Sequence, residues 1–273
     1  MELWEAIVLG VIQGLTEFLP LSSSGHLALS KYILGLSTDN LRFEIFVHLG
    51  TLLAVIVFFR YRLAKIARAV FKGRMYYRSG RWRFSDDNLR LLIFIILAAI
   101  PVGIAGLLLH DGIKEFFSRP ELVALFLLGT GFILFSTRWS RQATGDFNWR
   151  RALTVGLAQI LALLPGVSRS GVTISAGNHS GVEQGRSAEF SFLLAIPVIL
   201  GAGLLGVKDL IAAGLPRQEI APLFSGGLTA AATGFFAIKV LFRFTARRRL
   251  DFFAYYCWAA GLGSLLWLVL KGA

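Results

Sequence analysis

Long uncharged runs dominate the pattern of hydrophobic and polar positions along this chain. A helix needs about 20 apolar residues, each rising about 1.5 Å, to cross the hydrocarbon core of a membrane. Six runs approach or reach that length: Ile45–Phe59, Leu91–Leu109, Leu122–Thr137, Phe190–Val207, Ile220–Ile238 and Phe252–Leu270. A soluble protein would have difficulty burying six such helices, so we expect all six to span a membrane.

Two further apolar segments, Glu5–Lys31 and Arg151–Gly185, contain residues that a simple span does not tolerate. The interruptions are Glu17, Pro20 and His26 in the first segment and Pro165 and Arg169 in the second. Proline removes a helical hydrogen bond, and ionisable groups at membrane depth are costly. We therefore expect each segment to consist of short helices around an irregular loop.

The two interrupted segments also resemble each other. A shift of 146 residues aligns six identities in sixteen positions, including Ser22 with Ser168. In both halves an acidic residue opens the next span and two further spans follow, so three spans per half require an inverted second copy. The predicted fold is a single all-α polytopic membrane domain, 1–273, with an inverted-topology repeat. Repeat one covers about residues 1–137 and repeat two about residues 151–270.

Composition adds that the chain is basic yet poor in charge. It has 28 Lys and Arg against 16 Asp and Glu, a net charge of +12, but only 16% of its residues are charged. Its mean hydropathy is +0.66, and ordinary soluble domains are about 25% charged. A nucleic-acid-binding domain would spread its positive charge over a polar surface. We therefore expect no nucleic-acid partner and a chain surrounded by the lipid bilayer.

The basic residues cluster in three connections, which the positive-inside rule places in the cytoplasm. The clusters are Arg60, Arg62, Lys65, Arg68, Lys72, Arg74, Arg78, Arg81, Arg83 and Arg90; Arg138, Arg141, Arg150 and Arg151; and Arg243, Arg247, Arg248 and Arg249. The span near Glu44 then begins outside, and the span near Glu189 begins inside. Each interrupted segment most simply enters and leaves on one face as a re-entrant helix–loop–helix hairpin. Two very short crossings per segment are the alternative.

Each hairpin loop carries polar residues that suit phosphate chemistry. Gln13 and Glu17 share a helix face in the first hairpin because they are four residues apart. An always-charged guanidinium lies between two serines in the second hairpin, where a new helix offers free N–H groups to an anion. The candidate site residues are Gln13, Glu17, Ser22, Ser23, Ser24, Gly25 and His26 in the first loop and Ser168, Arg169, Ser170, Gly171 and Thr173 in the second.

These residue types indicate phosphoryl transfer on a lipid-borne substrate. Arg169 would bind phosphate oxygens and stabilise charge in the transition state. Ser23, in the middle of its loop, would attack the terminal phosphorus after activation by His26, with His26 itself or water as alternative nucleophiles. Glu17 would orient His26, or it would hold a divalent metal with Gln13.

The residues from Gln13 to His26 and from Pro165 to Thr173 resemble the two signature motifs of the bacterial undecaprenyl-diphosphate phosphatase family, also called bacitracin resistance proteins. The first family motif is Glu or Gln, three residues, Glu, then a Ser-rich turn and His. The second is Pro-Gly-x-Ser-Arg-Ser-x-x-Thr. The likeness extends over the whole chain, and Gln13 takes the amide option where many members have Glu.

The resemblance implies an enzyme of the bacterial inner membrane that hydrolyses undecaprenyl diphosphate to the monophosphate and phosphate. That reaction recycles the lipid carrier for peptidoglycan synthesis and confers bacitracin resistance. The resemblance also implies a divalent cation, Mg or Ca, coordinated mainly by Glu17 and substrate oxygens, and an active site that opens to the extracytoplasmic side. The catalytic residues that it implies are Glu17, Ser23, His26 and Arg169, with the other motif residues in contact with substrate.

A secondary transporter or lipid flippase is the rival interpretation, because inverted repeats with broken helices are typical of transporters. Transport needs an anion site but no nucleophile, so the Ser-His pair beside an arginine favours an enzyme. A scaffolding protein would give no reason for ionisable groups at membrane depth. The small-residue segments Gly201–Gly203, Gly226–Gly227 and Gly261–Gly263 are compatible with a homodimer.

Overall fold

The computed structural model describes residues 1–36, 41–78, 81–140, 143–214 and 216–271, with side chains described outside residues 77–83, 110–111, 114 and 205–213. The helices within these ranges are α1 (Leu3–Phe18), α2 (Ser23–Ile33), α3 (Leu41–Phe58), α4 (Arg60–Lys72), α5 (Asp87–Leu108), α6 (His110–Phe117), α7 (Pro120–Ser136), α8 (Trp149–Ala158), α9 (Arg169–His179), α10 (Gln184–Ala213), α11 (Arg217–Ala246) and α12 (Phe252–Lys271). Short 3-10 turns follow α7 and α8, at Thr137–Ser140 and Gln159–Leu163. The predicted helical class is confirmed.

Six helices of the described chain, α3, α5, α7, α10, α11 and α12, are long and apolar enough to cross a membrane. They coincide with the six uncharged runs of the sequence, so the prediction of a multi-pass membrane protein is confirmed. Helices α10 and α11 have 30 residues each, which is more than the hydrocarbon core requires.

The first basic connection contains structure that the sequence pattern did not predict. An antiparallel hairpin of β1 (Met75–Arg78) and β2 (Arg81–Phe84) follows helix α4. Helix α4 buries Ile66 and Ala69 but leaves Phe71 88% exposed beside its basic residues. An amphipathic basic helix with an exposed aromatic side chain is typical of the membrane interface. Arg141 of the second basic cluster lies outside the described residues.

The helix pairs of the two halves correspond to one another. Helix α1 packs on α11 as α8 packs on α5, and α3 packs on α11 as α10 packs on α5. Helices α3 and α10 pack on each other, and so do α7 and α12. An exchange of the two halves reproduces this pattern, which is therefore compatible with an inverted repeat and with two re-entrant hairpins. The repeat, its boundaries and the hairpins' membrane topology stay predictions.

Glycines allow some of these helices to approach closely. A Cβ atom at Gly10 of α1 would lie 2.5 Å from the carbonyl oxygen of Gly226 in α11, and one at Gly261 of α12 would lie 2.7 Å from the Leu128 side chain. Two of the small-residue segments thus pack within the chain. Gly201, in the third, has no neighbour within 4 Å of such a Cβ atom. The homodimer stays a prediction.

Candidate active site

The loops of the two hairpins meet in the interior of the protein. A Cβ atom at Gly25 would lie 2.9 Å from the Cα atom of Gly166 in the other loop. The Ser170 hydroxyl lies 3.5 Å from the carbonyl oxygen of Leu19, to which it donates. The junction therefore joins the starts of helices α2 and α9, as the sequence repeat predicts.

Corresponding serines begin these two helices. The Ser22 hydroxyl accepts a hydrogen bond from the Gly25 N–H at 3.3 Å, and the Ser168 hydroxyl accepts one from the Gly171 N–H at 3.1 Å. Such N-caps are worth about 1 kcal/mol each, and the positive end of each helix dipole lies at the junction. Ser22 adopts φ of +69°, a conformation that costs a non-glycine residue energy and concentrates at functional sites.

A threonine of the span α7 braces the second loop. The Thr130 hydroxyl donates to the carbonyl oxygen of Gly166 at 2.8 Å and accepts from the Ser168 N–H at 3.0 Å. Gly166 has φ of +101°, and a Cβ atom there would overlap the carbonyl oxygen of Val123. This position therefore requires glycine, and Thr130 fixes the loop one residue before Arg169.

Glu17 is the centre of the polar cluster at the junction. Its Oε2 atom accepts hydrogen bonds from the Ser23 hydroxyl at 2.5 Å and from the Gln13 Nε2 amide at 3.0 Å. Its Oε1 atom accepts from Nη2 of Arg169 at 3.1 Å, across 152 residues of sequence. The Glu17 side chain is 6% exposed and that of Arg169 is 14% exposed. The structure thus brings together four of the predicted site residues, Gln13, Glu17, Ser23 and Arg169.

Helix α10 accepts a hydrogen bond from the second terminal nitrogen of the Arg169 guanidinium. Nη1 of Arg169 donates to the backbone carbonyl of Ser191 at 3.1 Å, and the Ser191 hydroxyl lies 2.6 Å from the Thr173 hydroxyl. An arginine has five N–H groups, so these two bonds leave donors for a ligand. Predicted residue Thr173 therefore supports the position of Arg169 through Ser191.

A cavity of about 290 Å³ opens beside this cluster. Its polar lining consists of Thr16, Glu17, Ser23, Ser24, Glu44, His48, Ser168 and Arg169. Gln13, Ser22, Gly25, Ser170, Gly171 and Thr173, also predicted, lie outside that lining, where they cap helices, pack the loops or bond to lining residues. An anion that enters the cavity would meet the Arg169 guanidinium and the start of helices α2 and α9.

His26 is not among the residues that line this cavity. Its Nδ1 lies 2.9 Å from the carbonyl oxygen of Ser22, and a carbonyl only accepts, so Nδ1 carries the hydrogen. Its Nε2 then accepts from the Tyr256 hydroxyl at 3.0 Å, and the two rings stack with centroids 5.6 Å apart. The structure therefore does not bring His26 together with Glu17 and Arg169, and its catalytic role stays a prediction.

The imidazole inside the cavity belongs to His48 of α3, which is not among the residues predicted from the two motifs. Its Nδ1 donates to the carbonyl oxygen of Glu44 at 2.7 Å, and its Nε2 lies 3.9 Å from Oε2 of Glu17. The sequence did contain a signal for a functional residue here, because His48 is the one ionisable side chain in the run Ile45–Phe59. Thr130 and Ser191 gave no comparable signal, since hydroxyl residues are common in spans.

A second cavity, of about 340 Å³, lies beside the first two basic connections and does not suit phosphate. Each arginine in it is already paired with a carboxylate: Arg62 with Glu189, Arg90 with Asp87 and Asp146, and Arg186 with Asp146. Partial burial raises the pKa of Asp146, but the Phe147 N–H and Arg186 outweigh it and hold that pKa below its ordinary value. These pairs join the starts of α4, α5 and α10 to one another and to Asp146.

The donor set of the first cavity does not fit a resident divalent cation. Mg²⁺ and Ca²⁺ take six or more oxygen ligands, usually with several carboxylates. Among the described residues no group of three His, Cys, Asp or Glu side chains is arranged to hold a metal. Both oxygens of Glu17 already accept hydrogen bonds, one of them from a guanidinium. The Oε1 atom of Gln13 is buried and unbonded, but one neutral oxygen does not complete a site.

Comparison with known proteins shows the family to which the chain belongs. The family model described as bacitracin resistance protein BacA matches residues 6–263. Proteins named undecaprenyl-diphosphatase from Salinibacter ruber and Desulfosudis oleivorans are 39% and 43% identical to this chain, over 98% and 99% of its length and 100% of theirs. One of the same name from Halothermothrix orenii is 40% identical over 96% of both chains. The chain belongs to the bacitracin resistance protein BacA family.

Proposed function

We propose that this protein is an undecaprenyl-diphosphate phosphatase, which hydrolyses the lipid-carrier diphosphate to the monophosphate and phosphate. The observation that carries the proposal is the contact of the two loops, through which Arg169 and Glu17 reach Ser23 in one cavity. A guanidinium and two helix N-termini can stabilise a transferring phosphoryl group, and a hydroxyl bonded to a carboxylate can attack it. The named relatives, matched along their whole length, support this substrate.

The cavity's position supports an active site that opens to the extracytoplasmic side of the bacterial inner membrane. Its lining includes Leu41, the first residue of α3, and Gly203, in the last part of α10. With the three basic connections in the cytoplasm, α3 begins and α10 ends outside. The site would therefore act on diphosphate released by reactions on the outer face of the membrane.

A measurement of phosphate release distinguishes the proposed phosphatase from the alternative function, a lipid transporter. Purified protein in detergent, supplied with undecaprenyl diphosphate and Mg²⁺, is expected to release phosphate. Glu17→Ala is expected to lower the rate by about 100-fold or more, because it removes the group bonded to both Ser23 and Arg169. If detergent-solubilised protein releases no phosphate while vesicles show that it moves the lipid in a Glu17-dependent manner, the protein is a transporter.

We further propose that the divalent cation, Mg or Ca, arrives as part of the substrate, bound to diphosphate oxygens. A diphosphate carries more negative charge than the single guanidinium of Arg169 offsets. Excess chelator is therefore expected to lower phosphate release by at least about tenfold, with recovery on adding Mg²⁺ or Ca²⁺. The melting temperature of substrate-free protein is expected to stay the same in the chelator. A fall in melting temperature would instead indicate a resident cation.

A further inference from the structure

The backbone of the first loop is strained at Ser22, immediately before the hydroxyl that contacts Glu17. Ser22 has φ of +69° and ψ of +93°, a conformation that persists in a residue with a Cβ atom only when the surrounding structure holds it. The peptide group that follows joins the Ser22 carbonyl to the Ser23 N–H. The direction of that carbonyl therefore determines where the Ser23 hydroxyl and the free N–H groups at the start of α2 point.

His26 holds the Ser22 carbonyl with two hydrogen bonds. The His26 backbone N–H donates to the carbonyl oxygen at 3.1 Å, and Nδ1 of its imidazole donates to the same oxygen at 2.9 Å. Any helical residue other than proline makes the first bond, whereas the second needs an N–H group on the side chain. The imidazole thus gives the strained residue a contact that the helix alone does not provide.

Tyr256 of α12 selects the nitrogen of His26 that carries the hydrogen. A neutral imidazole has one N–H group, and the hydrogen bond at one nitrogen decides the state of the other. The Tyr256 hydroxyl lies 3.0 Å from Nε2, and its ring stacks on the imidazole with an interplanar angle of 16°. A hydroxyl that donates to Nε2 stabilises the form with hydrogen on Nδ1, which the Ser22 carbonyl requires.

Helix α12 also contacts the first loop at the next residue along the chain. The Cys257 thiol donates to the carbonyl oxygen of Pro20 at 3.7 Å. Two adjacent residues of α12 therefore meet the loop, one at Pro20 and one through His26. This fixes the Tyr256 hydroxyl relative to the imidazole that it contacts.

We propose that His26 and Tyr256 are positioning residues that orient the Ser23 hydroxyl for attack. The contacts run from the Tyr256 hydroxyl through the imidazole to the Ser22 carbonyl, and from there along the peptide group to Ser23. The proposal rests on the proposed phosphatase function. Because the imidazole lies outside the cavity lining, it acts through the backbone and exchanges no proton with the substrate.

Substitutions of His26 distinguish a positioning imidazole from a reacting one. His26→Ala is expected to lower kcat about 100-fold, because a small misplacement of a reacting group costs about that much, and to change KM less than about threefold because Arg169 is untouched. His26→Asn is expected to restore kcat to within about fivefold of wild type, because its amide N–H takes the place of Nδ1. His26→Gln, whose amide lies one carbon further out, is the matched control and is expected to stay near the alanine variant.

Removal of the Tyr256 hydroxyl tests the other end of this series of contacts. Tyr256→Phe keeps the stacked ring and is expected to lower kcat about fivefold at wild-type KM. Nitrogen-15 NMR of histidine-labelled protein is expected to show His26 with hydrogen on Nδ1 in wild type and as a mixture of the two neutral forms in the variant. Tyr255→Phe is the matched control, since that ring packs on Phe135 and Trp258, and is expected to keep both rate and spectrum.

Three results would overturn the proposal. The first is a folded His26→Asn protein, with a wild-type melting temperature, that is as slow as His26→Ala, since the reaction would then need the imidazole itself. The second is a wild-type spectrum with the His26 hydrogen on Nε2, and the third is Tyr256→Phe protein with wild-type rate and spectrum. Failure of wild-type protein to release phosphate would instead contradict the proposed function.

Discussion

Replacement of Arg169 by alanine is expected to lower kcat/KM for undecaprenyl diphosphate by about 10³-fold or more. The guanidinium lines the cavity, and its bonds to Glu17 and Ser191 fix it in place while other N–H groups remain for phosphate. Removing one preorganised charge-stabilising donor typically costs 10²–10³-fold, and the full positive charge adds to this. Arg169→Lys is expected to recover only about tenfold of the loss, because an ammonium cannot reproduce the planar fork.

Stability measurements separate this effect from misfolding. Arg169→Ala leaves the Glu17 carboxylate buried without its guanidinium, at a cost of about 3–5 kcal/mol of folding free energy. The double variant Arg169→Ala/Glu17→Gln removes that unpaired charge and is expected to melt closer to wild type while remaining inactive. Arg119→Ala is the control, since Arg119 is half-exposed and pairs with Glu115 outside the site. Near-normal turnover in the Lys variant would mean that Arg169 is only a counter-charge.

The membrane architecture could be predicted because it follows from single-residue properties. Six uncharged runs gave the six candidate spans, since a helix that crosses lipid needs about 20 predominantly apolar residues. The hairpin β1–β2 lies between basic residues with no alternating apolar pattern strong enough to predict strands. The sequence also did not predict which helices pack on each other, because this depends on close approaches such as that of Gly10 to Gly226.

The candidate site could be predicted in part, for a different reason. Glu17 and Arg169 were selected because ionisable groups are expensive at membrane depth, and Ser23 was selected because it lies in the middle of its loop. The structure places the three together. The short spacing between Ser23 and His26 suggested that their side chains interact. His26 lies near the start of α2, however, and the sequence does not show which neighbouring element its side chain faces. In the structure His26 faces Tyr256, and the imidazole in the cavity is His48, from a helix whose position only the tertiary structure gives.

Replacement of Ser23 by alanine is expected to lower kcat by about 10³-fold or more, about 4 kcal/mol of activation free energy at 1.36 kcal/mol per tenfold. The Ser23 hydroxyl donates to Glu17 at 2.5 Å at the first residue of α2, where free N–H groups stabilise a bound phosphate. In the expected step the Oγ–H proton passes to Glu17, Oγ bonds to the terminal phosphorus, and the bridging P–O bond breaks to release the lipid monophosphate. Water then hydrolyses the phosphoserine.

The phosphoenzyme distinguishes the three candidate nucleophiles. Rapid quenching of wild-type protein during turnover is expected to trap an acid-stable phosphoserine at Ser23, and Ser23→Ala is expected to abolish it. Ser225→Ala, which removes a hydroxyl that donates to the Pro222 carbonyl in α11, away from the site, is expected to keep both the intermediate and the rate. An acid-labile phosphoenzyme that survives in Ser23→Ala would assign the attack to a histidine. Turnover within about tenfold of wild type in Ser23→Ala without any phosphoenzyme would assign it to water, with Glu17 as the nearest base.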